Sequence, residues 1–393
     1  MKRLLILGGS EFQIPLIKRA KELGYYIGVV DVDDNSPACE YADKKYKGSL
    51  KDKEKVLGFA KEFEPDGITA GMVDIAVPTC AYIAAQLNLP GIDEDTAKRA
   101  TDKYEMIKAF AASNVPHPWF VFVSQNEIAC KKIDVEFPAI VKPVDMAGSR
   151  GIFLVNDKEE LYQAISNSSQ VSDKGDVIVE EYMDGPEVSV ELVVKDGIPY
   201  VIQVTDKMTS GAPYFAEVGH IQPSQLNADV IEKIKEVACD AARALNLKNS
   251  LGHAEIKVTS NGPKMVEIGA RAGGDGIAEQ LIELSTGVSF SEMAIQIAMG
   301  EVVDIPEIIE TRASCIRFIL SHDGVLKSID GVEEANSIEN IKEIKMFGKI
   351  GQKYKEMVDN SGRIGYVIAG ADNVKKAKES CDKALEFIKT IYE

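Results

Sequence analysis

The chain has 393 residues, 45% of them apolar and 27% charged, with 62 Asp and Glu against 45 Lys and Arg and a net charge of −17. That length predicts two or three domains, because one core seldom grows past about 300 residues. The composition excludes disordered and fibrous classes, and the acidic balance excludes nucleic acid as an expected partner. No run of 18 apolar residues is present to span a bilayer, and Gly8 breaks the apolar start, so no membrane association and a cytoplasmic location are expected. Cys39, Cys80, Cys130, Cys239, Cys315 and Cys381 lie far apart without a CxxC pair, which predicts reduced thiols rather than a zinc site or disulfide frame.

Residues 4–10 (LLILGGS) read as a buried strand and turn, and Phe12, Leu16, Ala20 and Leu23 then recur at helical spacing up to Gly24. A strand at 26–33, another at 65–72 and a helix from Pro78 to Leu87 extend this βαβ pattern, so residues 1–97 are expected to form a small parallel α/β domain. Thr101 is placed to cap a helix carrying Tyr104, Ile107 and Ala111, which stops before Val115 and Pro116. Residues 137–144, 151–155, 176–183 and 187–204 are β-rich around one helical stretch near Leu161, an α+β pattern. Residues 206–223 read as a polar, Gly-containing segment, followed by a helix from Ala228 to Leu245 and strands at 252–259 and 264–270. A helix from Ile277 to Gly300 precedes a Pro-containing boundary at 303–307. Beyond it, strands at 314–320 and 365–370 and a terminal helix with a Lys-rich face complete the chain. The expected units are therefore 1–97, 98–185, 186–303 and 304–393.

Several segments can carry chemistry. The Gly8-Gly9-Ser10 turn offers backbone N–H groups to an anion, with Asp31 at the end of the next strand; a tight turn without ligand is the alternative. Lys142 stands inside an apolar strand, which is costly without an anion, and the adjoining Gly148-Ser149-Arg150-Gly151 loop can lay donors over phosphates. Glu180, Glu181, Tyr182 and Met183 end a strand before a Gly-Pro turn and Glu187, a hinge that can present backbone amides to a purine edge and a carboxylate to a ribose, or equally a hairpin with solvated acids.

In the hairpin from Ala254 to Ile268 the apolar residues Ala254, Ile256, Val258, Val266 and Ile268 are all even-numbered. Packing one face requires even pairing sums, which sets Ile256 against Val266 and Glu255 against Glu267. A two-residue Asn-Gly turn breaks that register, so a three-residue loop or a bulge is expected. Facing carboxylates repel, and their pKa values rise unless a divalent cation, Mg²⁺ beside phosphates, lies between them. Arg271, with Gly273-Gly274-Asp275, follows immediately and suits a bidentate grip on a carboxylate or phosphoryl group, or a structural pair with an acid. His220 is expected in a loop lining a substrate pocket, or as a structural histidine.

This ordered set resembles the ATP-grasp superfamily, and within it the carboxylate–amine ligases, including the L-amino-acid (dipeptide) ligases. Residues 77–106 are similar to the carbamoyl-phosphate synthetase large-subunit repeat. The resemblance, over residues 1 to about 300, implies an N-terminal parallel α/β (pre-ATP-grasp) domain, a two-lobed ATP-grasp fold and a small C-terminal α+β domain. It implies that Lys103 and Lys142 contact nucleotide phosphates under the loop containing Gly148, Ser149 and Gly151, and that Glu180, Glu181, Tyr182 and Met183 meet adenine. Glu187 would hold the ribose, Glu255 and Glu267 Mg²⁺ or Mn²⁺, and Arg271, His220, Gly273 and Gly274 the substrate. The family's usual asparagine before the arginine is Gly269 here. The implied reaction is carboxylate attack on the γ-phosphate of ATP to give an acyl phosphate, then amine attack at the acyl carbon, with small-molecule carboxylate and amine substrates. A purine-pathway ligase or carboxylase acting on a phosphoribosyl substrate and a non-catalytic nucleotide-binding module are the competing readings, and a homodimer is left open.

Overall fold

The computed structural model of the protein describes residues 1–128, 132–212, 214–307 and 312–393. At the N-terminus, β1 (Arg3–Leu7), α1 (Ile14–Glu22), β2 (Tyr26–Asp31), β3 (Lys44–Lys47), α2 (Lys53–Phe63), β4 (Gly67–Thr69) and α3 (Val77–Leu87) form a parallel sheet in the order β3-β2-β1-β4 with crossover helices. Leu4 to Leu7 are completely buried because helices cover both sheet faces, which is why the strand reads as a continuous apolar run. The sequence reading did not include β3 or α2. β3 is Lys-Lys-Tyr-Lys with only Tyr46 buried, an edge strand guarded by charge that shows no apolar alternation. Leu23 is 40% exposed rather than part of the helix's buried face.

α4 (Glu94–Thr101) and α5 (Lys103–Ala112) lead to the next lobe. Thr101 ends α4; the cap of α5 is Asp102, whose carboxylate accepts the Tyr104 and Glu105 N–H groups. There β5 (Phe120–Val123), β6 (Ala139–Pro143), β7 (Phe153–Val155), α6 (Lys158–Val171) and β8 (Val177–Glu181) make an antiparallel sheet, β5-β8-β6-β7, backed by α6.

β9 (Glu187–Lys195), β10 (Ile198–Thr209), β11 (Glu217–Gln222), α7 (Ala228–Ala244), β12 (Ser250–Thr259) and β13 (Gly262–Gly269) build the large sheet. The segment expected to be polar and irregular at 206–223 is thus mostly the end of β10 and all of β11. A π-helical turn (Ile277–Leu281), α8 (Ile282–Thr286) and α9 (Phe290–Ala298) replace the single helix expected to Gly300; the chain breaks at Gly287, whose φ is +78°. Then come β14 (Ala313–Leu320), β15 (Gly324–Asp330), α10 (Val332–Asn336), β16 (Ile341–Met346), β17 (Lys353–Tyr354), β18 (Arg363–Ala371), α11 (Val374–Phe387) and a final β19 (Lys389–Tyr392) after the helix expected to be terminal.

β14 pairs with β11, so one eight-stranded sheet, β13-β12-β9-β10-β11-β14-β18-β16, runs from residue 187 into the C-terminal segment. Its faces divide by alternation. Val188, Val190, Leu192 and Val194 of β9 pack with Ala254, Ile256 and Ile268 against α5 and α7, each large aliphatic side chain worth about 1.5–3 kcal/mol on burial. The other face carries the charges described next. No helix among the described residues is long and apolar enough to cross a membrane. Cys39, Cys80, Cys239, Cys315 and Cys381 are free thiols, as expected; Cys130 lies outside the described residues.

Candidate active site

The β12–β13 hairpin turns through Ser260 and Asn261, with Thr259 opposite Gly262, and a bulge between Glu255 and Ile256 corrects the register so that Glu255 faces Glu267. The bulge and the facing glutamates match the parity argument. The partner of Ile256 does not: it is Met265, fully buried, while Val266 turns half-exposed toward the cavity.

Across the sheet, Glu255 lies opposite Ser189, His253 opposite Glu191, Ser189 opposite Thr205, and Lys207 opposite His220. Strand alternation therefore brings Glu267, Glu255, Glu187, Glu191, His253, Lys207 and His220 onto one face. Facing them is the small sheet, where Ile140 pairs with Glu180 and Lys142 with Ile178, so Lys142 and Glu180 are diagonal neighbours on one side. Between the sheets is a cavity of about 410 Å³ lined by Lys103, Lys142, the Gly148–Arg150 loop, Glu180 to Met183, Glu187, Lys207, Glu217, His253, Glu255, Glu267, Arg271, Gly274 and Asp275, among others.

Charge in this cavity is paired residue by residue. Lys142, 4% exposed, meets Glu180 at 2.6 Å. Lys103 meets Glu267 at 2.8 Å and donates to the Met146 carbonyl at 2.7 Å; burial would lower its pKa, yet Glu267 and other acids leave it raised. Lys207 touches three carboxylates, Glu187 at 2.6 Å and Glu217 and Glu255 at 2.8 Å, which overcome burial and hold its pKa well above the ordinary value. Burial likewise works against the Glu255 carboxylate, but Lys207 and His253 hold its pKa far below normal, not above as mutual repulsion with Glu267 predicts. His253 Nδ1 is bonded to the completely buried Glu191; despite desolvation, Glu191 pushes the imidazole up to about 10.

Arg271 donates from Nε and Nη2 to Asp74 at 2.6 and 2.5 Å, and from Nη1 to the Ala272 carbonyl at 2.7 Å. The structural-pair alternative is thus realised, with an acid 197 residues away, while the arginine still lines the cavity and two of its five N–H groups have no protein acceptor among these bonds. Gly269 has a local reason: a Cβ there would lie 3.1 Å from Asp74 Oδ1 and 3.2 Å from Arg271 Cγ, crowding the pair. Gly273 donates its N–H to Glu191 at 2.9 Å, and Gly274 borders the open cavity. Glu181 pairs with Lys264 at 2.7 Å. His220 lies in strand β11, 1% exposed, not in a loop. At the other end of the protein, the Gly9 N–H is taken by Asp31 at 2.7 Å and Asp31 also accepts Ser36 Oγ at 2.8 Å, so that turn satisfies its own donors.

Residues 135–279 match the ATP-grasp domain family, residues 1–91 the ribonucleotide synthetase preATP-grasp domain and residues 317–393 the L-amino acid ligase C-terminal domain 2. The chain is a member of the ATP-grasp ligase family. As such it is an enzyme, built of a pre-ATP-grasp domain, an ATP-grasp domain and a ligase-type C-terminal domain. The fold is shared with an L-amino acid ligase from Bacillus licheniformis (TM-score 0.87, 24% identity, 100% of this chain and 99% of that one). It is also similar to a phosphoribosylglycinamide synthetase from Anaerococcus prevotii (TM-score 0.79, 26% identity, all of both chains). A formate-dependent phosphoribosylglycinamide formyltransferase of Prochlorococcus marinus subsp. pastoris is 25% identical over 99% of this chain and 98% of its own.

The sequence reading missed Asp74, Glu191, Lys207, Glu217, His253 and Arg363. Lys207 and Glu191 carried a usable signal, since each is a charged residue in a β-rich stretch at the parity of the polar face. Asp74 and Arg363 carried none, because they reach the cavity from distant units.

Proposed function

We propose that this protein is an ATP-dependent carboxylate–amine ligase that forms an amide or peptide bond through an acyl phosphate, with an amino acid as a substrate. The observation that carries the reading is the convergence of Lys103, Lys142, the glycine loop, Glu255, Glu267 and Arg271 on one cavity. Glu255 and Glu267 stand directly opposite each other, an oxygen-only donor pair suited to a hard cation such as Mg²⁺ or Mn²⁺. Bound there, the ion supplies charge neutralisation for the phosphates.

The chain's own groups cover the rest. Lys142 and Lys103 neutralise phosphate oxygens, and the loop at Gly148 and Gly151, both with positive φ, brings backbone donors over them. Glu180, Glu181, Tyr182 and Met183 form the edge that meets adenine, and Glu187 holds the ribose. Arg271, fixed by Asp74, turns its remaining N–H groups to the substrate carboxylate, beside Gly273, Gly274 and His220. A carboxylate oxygen attacks the γ-phosphorus and ADP leaves; the amine nitrogen then attacks the acyl carbon, phosphate leaves and the nitrogen gives up a proton. Positioning and electrostatics suffice for both steps, without a side-chain nucleophile.

The purine-type relatives favour a second reading, a phosphoribosyl substrate. Against it, the cavity end beyond Arg271 is lined by Glu217 and Asp275, and its arginine, Arg363, is already paired with both at 3.0 and 2.8 Å. The test is Mg²⁺-dependent ADP release from ATP with pooled L-amino acids, with mass analysis of products and Glu267→Ala as control. A product equal to two substrates minus water, absent in the control, supports the ligase. ATP binding without stimulation by any amino acid refutes the amino acid assignment.

A further inference from the structure

Beyond Arg271, β11 and the loop after β13 bring Glu217, His220 and Asp275 together. His220 is 1% exposed, yet neither ring nitrogen has a hydrogen-bond partner. Its Nε2 points between two carboxylates, 3.9 Å from Glu217 Oε2 and 4.0 Å from Asp275 Oδ2, too far to bond either directly. The three candidate donor atoms lie within 4.8 Å of one another, a spacing that a single ion between them can bridge with small side-chain shifts.

We propose that Glu217, His220 and Asp275 form a second cation site, separate from the Glu255–Glu267 pair, that takes a divalent transition-metal ion of the Zn²⁺ kind. The donor set decides the ion class. One imidazole nitrogen with two carboxylates suits Zn²⁺ and its neighbours, whereas Mg²⁺ favours oxygen alone. Local charge agrees. Four carboxylates, Glu187, Glu217, Glu255 and Asp275, share Lys207, Lys257 and Arg363, and the buried Glu279 nearby has no partner on either oxygen. Arg363 acts from outside: Nη1 holds Asp275 Oδ1 at 2.8 Å, leaving Oδ2 toward His220, and its guanidinium lies 3.8 Å over the Phe318 ring. Such outer partners orient carboxylate ligands. Glu217 and Asp275 also border the main cavity, which gives an ion a path in from solvent.

The site does not depend on the ligase reading, and its test does not use turnover. The full-length chain is dialysed against Zn²⁺ with Mg²⁺ in excess and bound metal is quantified, with Co²⁺ absorption as an independent report of a nitrogen-containing ligand set. One tightly held Zn²⁺ per chain is expected, unaffected by Glu267→Gln and weakened roughly tenfold or more by His220→Asn. Asp275→Asn, at a cavity-lining position, gives the same loss and replaces His220→Asn should that variant not fold. No retained Zn²⁺, or retention that survives both substitutions, or loss in Glu267→Gln alone, overturns the proposal. Failure here leaves the ADP-release result untouched, and the converse holds.

Discussion

Replacing Glu191 with glutamine isolates the charge of the most deeply buried ion pair in the protein's cavity wall. Gln keeps the size of the side chain and an oxygen for the Gly273 N–H, 2.9 Å away, but removes the negative charge beside His253. The imidazole, desolvated yet raised from 6.5 to about 10 by Glu191, holds its proton more tightly in the folded than in the unfolded chain. Its contribution is therefore complete below the unfolded value and lost as pH climbs through about 10. At 1.36 kcal/mol per unit, a rise from 6.5 to about 10 is worth roughly 5 kcal/mol, in line with about 3–5 kcal/mol for breaking a buried pair. Urea unfolding followed by far-ultraviolet circular dichroism, at several pH values, measures it. The gap between wild type and Glu191→Gln should be widest near pH 6 and close as pH approaches about 10. A gap of equal size at both ends would refute the reasoning and reduce Glu191 to a hydrogen-bond acceptor for Gly273.

Other substitutions probe neighbouring contacts. Gly273→Ala puts a Cβ 2.3 Å from Glu191 Oε1 and 2.7 Å from His253 Nδ1; it should cost about 1–3 kcal/mol and flatten the same pH profile, whereas an unchanged profile would show that the loop yields instead. Lys142→Met strands the Glu180 carboxylate in a dry site, with an expected loss of about 3–5 kcal/mol together with weaker ATP binding. Adding Glu180→Gln should restore stability but not affinity, and a double variant that regained affinity would remove Lys142 from the phosphate site. Asp74→Asn should leave ATP affinity intact while lowering kcat/KM for the carboxylate substrate by about tenfold to a hundredfold, as expected for a misaligned Arg271; a parallel loss of ATP binding in titration calorimetry would argue against that division. Gly151→Val, at φ +74° with Val171 Cγ2 2.4 Å from the new Cβ, should weaken nucleotide binding far more than Gly148→Ala, which meets nothing within 4 Å, and equal effects would separate the loop's shape from its function.

Much of the site was legible because it obeys short-range rules. Strand parity alone set Glu255 opposite Glu267 and required the register correction that the bulge supplies. A lysine in an apolar strand beside a glycine loop marked Lys142 and residues 148–151. The failures have equally local causes. Residues 206–223 were read as irregular since Asp206, Lys207, Glu217 and His220 are polar, but that polarity is the alternation of a strand whose one face is the cavity wall. The pairing of Ile256 was misassigned because parity counts residues and cannot say where within a strand a bulge falls. The helix after Ile277 was overextended because Gly287 and Gly300 are both end signals, and spacing does not rank them.

What the sequence determined on its own is the set of elements, the change from a parallel α/β unit to α+β lobes, and the chemical alphabet of the site. Each follows from patterns within about one strand or helix, where backbone geometry dictates which side chains share a face. Tertiary structure alone decided the partners: Asp74 on Arg271, Glu191 on His253, Lys207 among three carboxylates, and Arg363 across Glu217 and Asp275. These contacts depend on sheet order, above all on β11 pairing with both β10 and β14. That order is set by how whole faces bury apolar surface against α5, α7 and α11, a sum over distant residues that no local period records.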